Sequence, residues 1–371
     1  MLPCPFGKMV KRVRRRVRLV RHEFQGLQVV SEARYHDRVK FLQAFDANWQ
    51  DRLDAPTPFD KASWYQLITE TGTTPLIAVA DDGGASIALA LTEDNGWITP
   101  LRNWYSFIWR QLGCNSPAAN ALLVDIARHL KSRSYRITLE PVPDEDGSAQ
   151  QLVEAFGAAG WRVMAARCDT NHALEVKRRS FAEYWAQRPG SLRATLKRKG
   201  KKVQTRIATQ FDPLLWEEYE RIYAASWKPA EGNPAMLRAF AMSESHAGRL
   251  RLGLAYDGDL AIAAQFWTVE KGTAYIHKLA HLESHKHLSA GTTLSAALFQ
   301  HVIDCDRVAL IDFGTGDQPY KADWMEVVRP RYRIDCLNPD NPRAWAPLAK
   351  RMLRRIAEPG KARLAPRPAH G

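Results

Sequence analysis

Residues 311–324 read IDFGTGDQPYKADW and gather Asp312, Asp317, Tyr320 and Lys321 around Gly314 and Gly316, just past the short apolar run 308–311. Carboxyl, phenol and amine groups can exchange protons near neutral pH when their surroundings shift them, and reactive groups of sheet proteins commonly sit in the loop beyond a strand end. A second pattern lies upstream, where ESHKHLSAGT (283–292) joins a strand ending near His281 to a helix. A turn of small residues entering a helix offers main-chain N–H groups to an anion, and the helix dipole adds to them. The same Ser-Ala-Gly also reads as an ordinary cap.

Other constellations lack the spacing their chemistry needs. His277, His281, His285 and His287 cluster near Glu283, and His277 and His281 share one face of a strand. A histidine pair four positions apart on a strand is not the helical zinc pattern, and no cysteine lies close, so no metal is expected. One of these histidines remains a candidate for substrate contact. Gly314-x-Gly316 lacks the third glycine of a dinucleotide fingerprint, and neither a Walker sequence nor a serine nucleophile elbow occurs. Trp227 and Trp267 read either as core or as the lining of a substrate cleft.

The elements that must position these groups come in two similar series. The first half predicts a helix over 59–71, a hairpin of 76–80 and 86–91 around Asp81-Asp82-Gly83-Gly84, and a strand over 96–101. There follow the aromatic segment Trp104-Tyr105-Ser106-Phe107, a helix over 117–132, a strand over 135–140, a helix over 150–159 and a strand over 161–167. The second half predicts helices over 213–226 and 234–245, strands over 250–256, 260–269 and 273–281, a helix over 291–303, a strand over 308–313, a short helix over 318–323 and a last strand over 331–337. This is an α/β reading with α+β mixed sheets, repeated in pattern without residue-level identity.

At 371 residues the chain is long enough for two domains. No apolar run approaches the roughly 18 residues of a membrane span. Five scattered cysteines without a CxxC pair suit a reducing cytoplasm. The net charge of +13 is concentrated at the ends: residues 1–25 carry eight Lys/Arg against Glu23, and residues 343–371 carry eight against Glu358. The N-terminal end reads as a loose tail, a basic edge strand or an anchor for anionic lipid or RNA, and Met9 is an alternative start. It lacks the apolar core of a secretory signal. The C-terminal end reads as a basic helix over 348–356 and a disordered tail. Between the halves, residues 177–206 hold eleven Lys/Arg and the single acid Glu183, either as a solvated linker or as an anion site.

The second half resembles the GNAT acyltransferase superfamily, and in particular the paired-GNAT branch of cellulose-biosynthesis-associated acetyltransferases and Fem peptidyltransferases. Tyr275-Ile276-His277-Lys278, Leu288-Ser289-Ala290-Gly291, Asp312-Phe313-Gly314-Thr315-Gly316-Asp317, Tyr320-Lys321 and Trp324 carry the resemblance, with Arg193, Lys197 and Arg198 in a basic helix ahead. It covers about 180–340 strongly and 30–175 in architecture alone. It implies two tandem GNAT-like domains: a basic N-terminal segment (1–25), an N-terminal domain (26–175), a basic linker helix (176–210), the acyltransferase domain (211–342) and a basic C-terminal helix and tail (343–371).

The implied reaction is transfer of an acyl group, acetyl first of all, from acyl-CoA to an amine. The acceptor would be a small molecule or glycan precursor of envelope or polysaccharide synthesis, in the cytoplasm or at the membrane periphery. By the same resemblance Lys286, His287, Leu288, Ser289, Ala290, Gly291 and Thr292 would cradle the CoA pyrophosphate, with Ser289 where the family usually has glycine. Asp317 would be the base or ammonium anchor, Tyr320 the acid, and Lys321 the partner of a phosphate or acyl carbonyl. His277, Trp227 and Arg193 would meet substrate. A Fem-like transferase using aminoacyl-tRNA, with the basic linker and tails as an RNA track, stays open. So does a non-catalytic scaffold docked on an anionic membrane or assembly.

Overall fold

The computed structural model describes residues 38–44, 53, 55–113 and 115–350. The basic N-terminal segment, the alternative start at Met9 and the tail beyond 350 lie outside the described residues; of the helix expected over 348–356 only 348–350 are described, and they end a helical stretch 345–350.

Among the described residues, thirteen strands form one mixed sheet. The first half supplies β1 (Val39–Leu42), β2 (Leu76–Asp81), β3 (Ser86–Asp94), β4 (Trp97–Pro100), β5 (Leu112–Gly113), β6 (Arg136–Pro143) and β7 (Arg162–Glu175). The second half supplies β8 (Gln204–Ala208), β9 (Leu250–Asp257), β10 (Leu260–Glu270), β11 (Thr273–His281), β12 (Leu310–Thr315) and β13 (Val327–Leu337). The order is β1-β2-β3-β4-β6-β13-β7-β12-β11-β10-β9-β8, with β5 on the side of β3. Strands β2 and β3 are almost uninterruptedly apolar because both of their faces are covered. Their turn closes as its residues require: Asp82 Oδ1 accepts from the N–H groups of Gly84 and Ala85, and Gly83 takes φ +88.

The two halves have the same topology. Each is an antiparallel run with one parallel step, β4 beside β6 and β11 beside β12. Each also receives its closing strand from the other: β13 pairs with β6, and β7 pairs with β12. The exchanged strands pair with each other from Val327↔Ala173 to Leu337↔Arg162. The sheet therefore runs without a break through the boundary expected near residue 175. The exchange also explains why β7 continues well past its predicted end at 167, since its second stretch is paired on both sides by strands distant in sequence. Strand β8 was not anticipated at all. Its residues Gln-Thr-Arg-Ile-Ala lack alternation because it is a largely exposed edge held by its ladder to β9.

Helices α1 (Ala62–Thr69), α2 (Pro117–Leu130), α3 (Ser148–Ala158), α4 (Phe181–Ala186), α5 (Gly190–Lys199), α6 (Pro213–Ala224), α7 (Pro234–His246) and α8 (Ala290–Gln300) cover the sheet. Three apolar clusters result. One lies under α2 and α3, with Leu122, Leu123, Leu152 and Phe156. Another lies under α8, with Leu294, Phe299, Tyr184 and Trp324. The third joins the halves and packs Phe59 and Trp64 with Trp216, Phe240, Phe266 and Tyr275. Trp267, one of the two tryptophans left open by the sequence, is buried in the α8 cluster. Among the described residues no helix is long and apolar enough to cross a membrane.

Candidate active site

The parallel pairing of β11 and β12 lasts only from Thr273↔Leu310 to Tyr275↔Asp312. Beyond it β11 stays on β10, while Thr315 pairs with Asn171 of β7. The strands part, and a cleft of about 680 Å³ opens between them. Its second-half wall includes residues 276–279, 313–316, Tyr320 and Lys321, and Arg102, residues 104–107, Glu140, Pro141 and the β7 residues Cys168 and Asp169 close the other side.

The end of β12 is held in an unusual shape. Asp312 is buried, and its Oδ1 accepts from Asn171 Nδ2 at 2.6 Å and from the Gly314 N–H at 2.7 Å. Burial raises its pKa, against the pull of Arg331. Gly314 takes φ +67 and lies against the Phe107 ring, and Gly316 takes φ +94 with its N–H on Asp169 Oδ1 at 3.0 Å. Asp312 and the glycines shape the loop that carries Tyr320 and Lys321.

Lys321 is 3% exposed. Its ammonium donates to the carbonyl oxygens of Phe313 (3.1 Å) and Thr315 (2.5 Å), so it clamps the last turn of β12 while lining the cleft. Burial pulls its pKa down to about 8, with Asp312 opposing. Tyr320 is 41% exposed in the cleft, edge-on to Phe313, and burial of its phenol raises its pKa. It therefore stays protonated at neutral pH and can donate. Asp317 is placed differently. Its side chain is 74% exposed, outside the cleft lining, and pairs with Nε2 of buried His172 at 2.8 Å.

His277 is enclosed by Phe107, Phe240, Phe266 and Tyr275, with Nε2 at 2.8 Å from Thr268 Oγ1. Burial, with Lys278 adding to it, pushes its pKa down to about 3, so it stays neutral. Trp227 is 49% exposed on the cleft wall, against the His281 ring at 4.3 Å. Arg193 lies on α5 away from the cleft and donates to the Arg188 carbonyl.

The loop 286–292 does not line the cleft but forms the entry to α8, whose neighbour across the sheet is β10 through Gln265 and the Gly291 carbonyl. Lys286 and His287 are exposed, and Lys286 pairs with Glu283 at 3.4 Å. Ser289 stands at the N-cap with φ +53 and ψ +40, and its side chain makes no cap bond. The first-turn N–H groups at Ala290, Gly291 and Thr292 thus have neither a helical partner nor a cap. Lys199, at the end of α5, reaches Ser289 Oγ at 3.0 Å. The first half gives an internal comparison. At the matching position α2 begins with Ser116, which accepts from the Ala119 N–H, followed by Pro117, which has no N–H. One helix entry is closed to an anion and the other is open.

The left-handed backbone at Ser289 explains why a glycine suits this place. Ser289→Val is expected to cost about 2 kcal/mol, since a β-branched residue resists that conformation. Ser289→Gly should stay within about 1 kcal/mol of the parent, because strain relief offsets the lost Lys199 bond. Melting curves decide it, and a tolerated valine would contradict the assigned backbone.

The cleft also contains groups that the sequence reading left without a role. Lys278 donates to Glu231 Oε1 at 2.9 Å among the rings of Tyr105 (4.7 Å) and Tyr223 (5.1 Å). Tyr105 donates to the same oxygen at 2.9 Å, tying the first half to the second. Trp104 and Lys228 stand nearby. The run Trp104–Phe107 was visible as aromatic and Lys278 as part of the family pattern, but Glu231 sits in a loop with no local signal.

Comparison with known proteins fits this geometry. Residues 190–322 match the model of the acetyltransferase (GNAT) domain. No curated protein matches the sequence. Among solved structures, FemX aligns with a TM-score of 0.57 at 11% identity, over 80% of this chain and 94% of its own. The C-terminal DUF2156 domain of a putative lysylphosphatidylglycerol synthetase from Agrobacterium fabrum aligns at 0.52 and 12% identity, over 78% and 91%. L-PGS from Bacillus licheniformis aligns at 0.51 and 11%, over 81% and 98%. At these identities the alignments speak to fold alone. The parted β11–β12 pair, the open entry of α8 and the Tyr320–Lys321 turn all fall within the matched span, and residues 190–322 of this chain match a GNAT acetyltransferase domain on a fold shared with FemX.

Proposed function

We propose that the protein transfers an acyl group, acetyl first of all, from acyl-CoA to an amine acceptor held between its two halves. The observation that carries this reading is the open, uncapped entry of α8 beside a β11 edge that has lost its strand partner. Free N–H groups at the helix entry suit a pyrophosphate, with Lys199 close by. Unpaired N–H groups on the parted strand suit a thioester oxygen as it gains charge in the transition state. The neutral amine attacks the thioester carbonyl, and the C–N bond forms as the C–S bond breaks. The nitrogen gives up a proton to water, and the departing thiolate must gain another. Tyr320, kept protonated by its surroundings, supplies that proton, while Lys321 keeps the turn in place. Asp317 lies outside the cleft lining and pairs with His172, so the geometry gives it no part as base.

A Fem-like aminoacyl-tRNA donor is the second reading. It is favoured by α5, which buries no residue, ends in Lys197, Arg198 and Lys199, and adjoins Ser289. Such a track predicts affinity that falls steeply with salt. The acceptor belongs to small-molecule or glycan-precursor amines, and the setting is cytoplasmic or membrane-peripheral.

Thermal melts separate the donors. A ligand at about 100 times its dissociation constant adds about 2.7 kcal/mol. CoA should raise the melting temperature; no shift with CoA but a salt-sensitive shift with tRNA would replace the first reading by the second. Tyr320→Phe should lower CoA release from acetyl-CoA about 100-fold and leave the CoA shift intact. Undiminished release would remove Tyr320 as the acid.

A further inference from the structure

The cleft has a second chemical character besides its parted strands. Large exposed apolar side chains are few among the described residues, yet Trp104 (72% exposed), Trp227 and Tyr320 all line this one cavity. Exposed rings gathered in a cleft offer flat apolar faces to a ligand.

The charges of the same wall are unequal in how they are met. Arg102 faces Glu140 at 3.7 Å, Lys278 has Glu231, and Lys321 has its two carbonyls. Lys228 has none of these. It is half-buried, its ammonium lies 5.4 Å over the Trp227 ring, and no described carboxylate is within ion-pair distance. Burial lowers its pKa and the charge of Lys278 adds to the effect, with the more distant Glu231 only opposing them. Of the three ammonium groups on this wall, Lys278 has Glu231 and Lys321 has its two carbonyls, so Lys228 is the one left with a place for an anion. Lys278 is not that place, because Glu231 and the rings of Tyr105 and Tyr223 already fix it.

We propose that Lys228, with Trp227 and Trp104, forms an acceptor subsite that selects acidic amines: molecules that carry, besides the amine to be acylated, a ring face for the tryptophans and a carboxylate or phosphate for Lys228. This rests on the acyltransferase reading and names the acceptor class for it. The bound anion completes the pairing of the wall, and the ring face excludes water from Trp104 and Trp227. A charge-assisted contact of this kind discriminates by about tenfold or more against an acceptor without the anion.

The test uses the full chain and three probes of one shape: glucosamine, glucosamine 6-phosphate and muramic acid. Dissociation constants come from ligand-observed NMR. At least one acidic probe should bind about tenfold more tightly than glucosamine. Phosphate preference identifies the phosphate class, and preference for muramic acid identifies the carboxylate class. Lys228→Gln should bring the three probes to within about twofold of one another, and Lys228→Arg should keep the preference. Equal binding of glucosamine and the acidic probes, a preference that survives Lys228→Gln, or no binding by any of the three would overturn the proposal. The CoA melt of each variant is read in parallel. An intact CoA shift without acid preference removes this inference alone, whereas a missing CoA shift in the parent protein removes the donor reading.

Discussion

Lys321→Met is expected to lower both the stability and the turnover of the protein. The substitution keeps an unbranched chain of similar length and takes away the donor that holds the carbonyls of Phe313 and Thr315. A buried carbonyl left without a partner costs about 1–3 kcal/mol. Partial rearrangement of the turn reduces the sum, so a net loss of about 2–4 kcal/mol is expected, read as a fall in melting temperature of about 5 °C or more. Tyr320 is the adjacent residue and loses its fixed approach to the cleft, so CoA release should fall with stability. The effect has a pH signature. The folded-state pKa is about 8, below the ordinary lysine value of 10.5. Burial thus penalises the charged form, and the penalty is fully felt below the folded pKa. As pH rises from 8 towards 10.5 the unfolded chain binds the extra proton, so stability rises with pH in the parent relative to the methionine variant. A variant that melts like the parent, or a difference that does not vary across this window, would remove the clamp.

Gly314→Ala is expected to cost about 2–4 kcal/mol. Two effects combine at this position. The backbone sits at φ +67, which costs an L residue about 1–2 kcal/mol. An added Cβ would also meet the Phe107 ring at 3.0, 3.1 and 3.2 Å, which is overpacking across the join between the halves. A double-mutant cycle separates the two. Phe107→Ala makes room and should recover the steric part, giving a coupling of about 1 kcal/mol or more, while the backbone part remains. Zero coupling would mean that Phe107 does not rest on Gly314. Phe107 also packs, tilted, against Phe59 and His277, so its displacement should open the aromatic wall and reduce turnover as well as stability.

The local part of the fold was legible. The β2–β3 hairpin follows from Asp81-Asp82-Gly83-Gly84, and α2 from the apolar stripe of 117–132, because turns and amphipathic stripes are settled by neighbours in sequence. The extended second stretch of β7 and the edge strand β8 were not, because ladder partners far along the chain hold them rather than any alternation of their own. The site divides along the same line. Tyr320, Lys321, Trp227 and the family pattern around Lys278 could be read as residue types in order. That Lys321 clamps two carbonyls, that His277 is ringed by aromatic side chains at the cleft wall and that Asp317 turns to His172 could not, since each depends on groups brought from other elements.

By itself the sequence determined the repeated series of elements, a small-residue turn at Ser289-Ala290-Gly291 entering a helix and the kinship of residues 190–322, all of which rest on short-range patterning; that this entry is left uncapped is a fact of the structure. The tertiary structure alone decided that each half closes with the other's last strand and that the cleft is shared. Pairing β7 with β12 and β13 with β6 places Asn171, Asp169 and Trp104–Phe107 against the end of β12. Those contacts join residues more than a hundred positions apart. Long-range hydrogen bonding and packing choose such partners, and no local spacing records them.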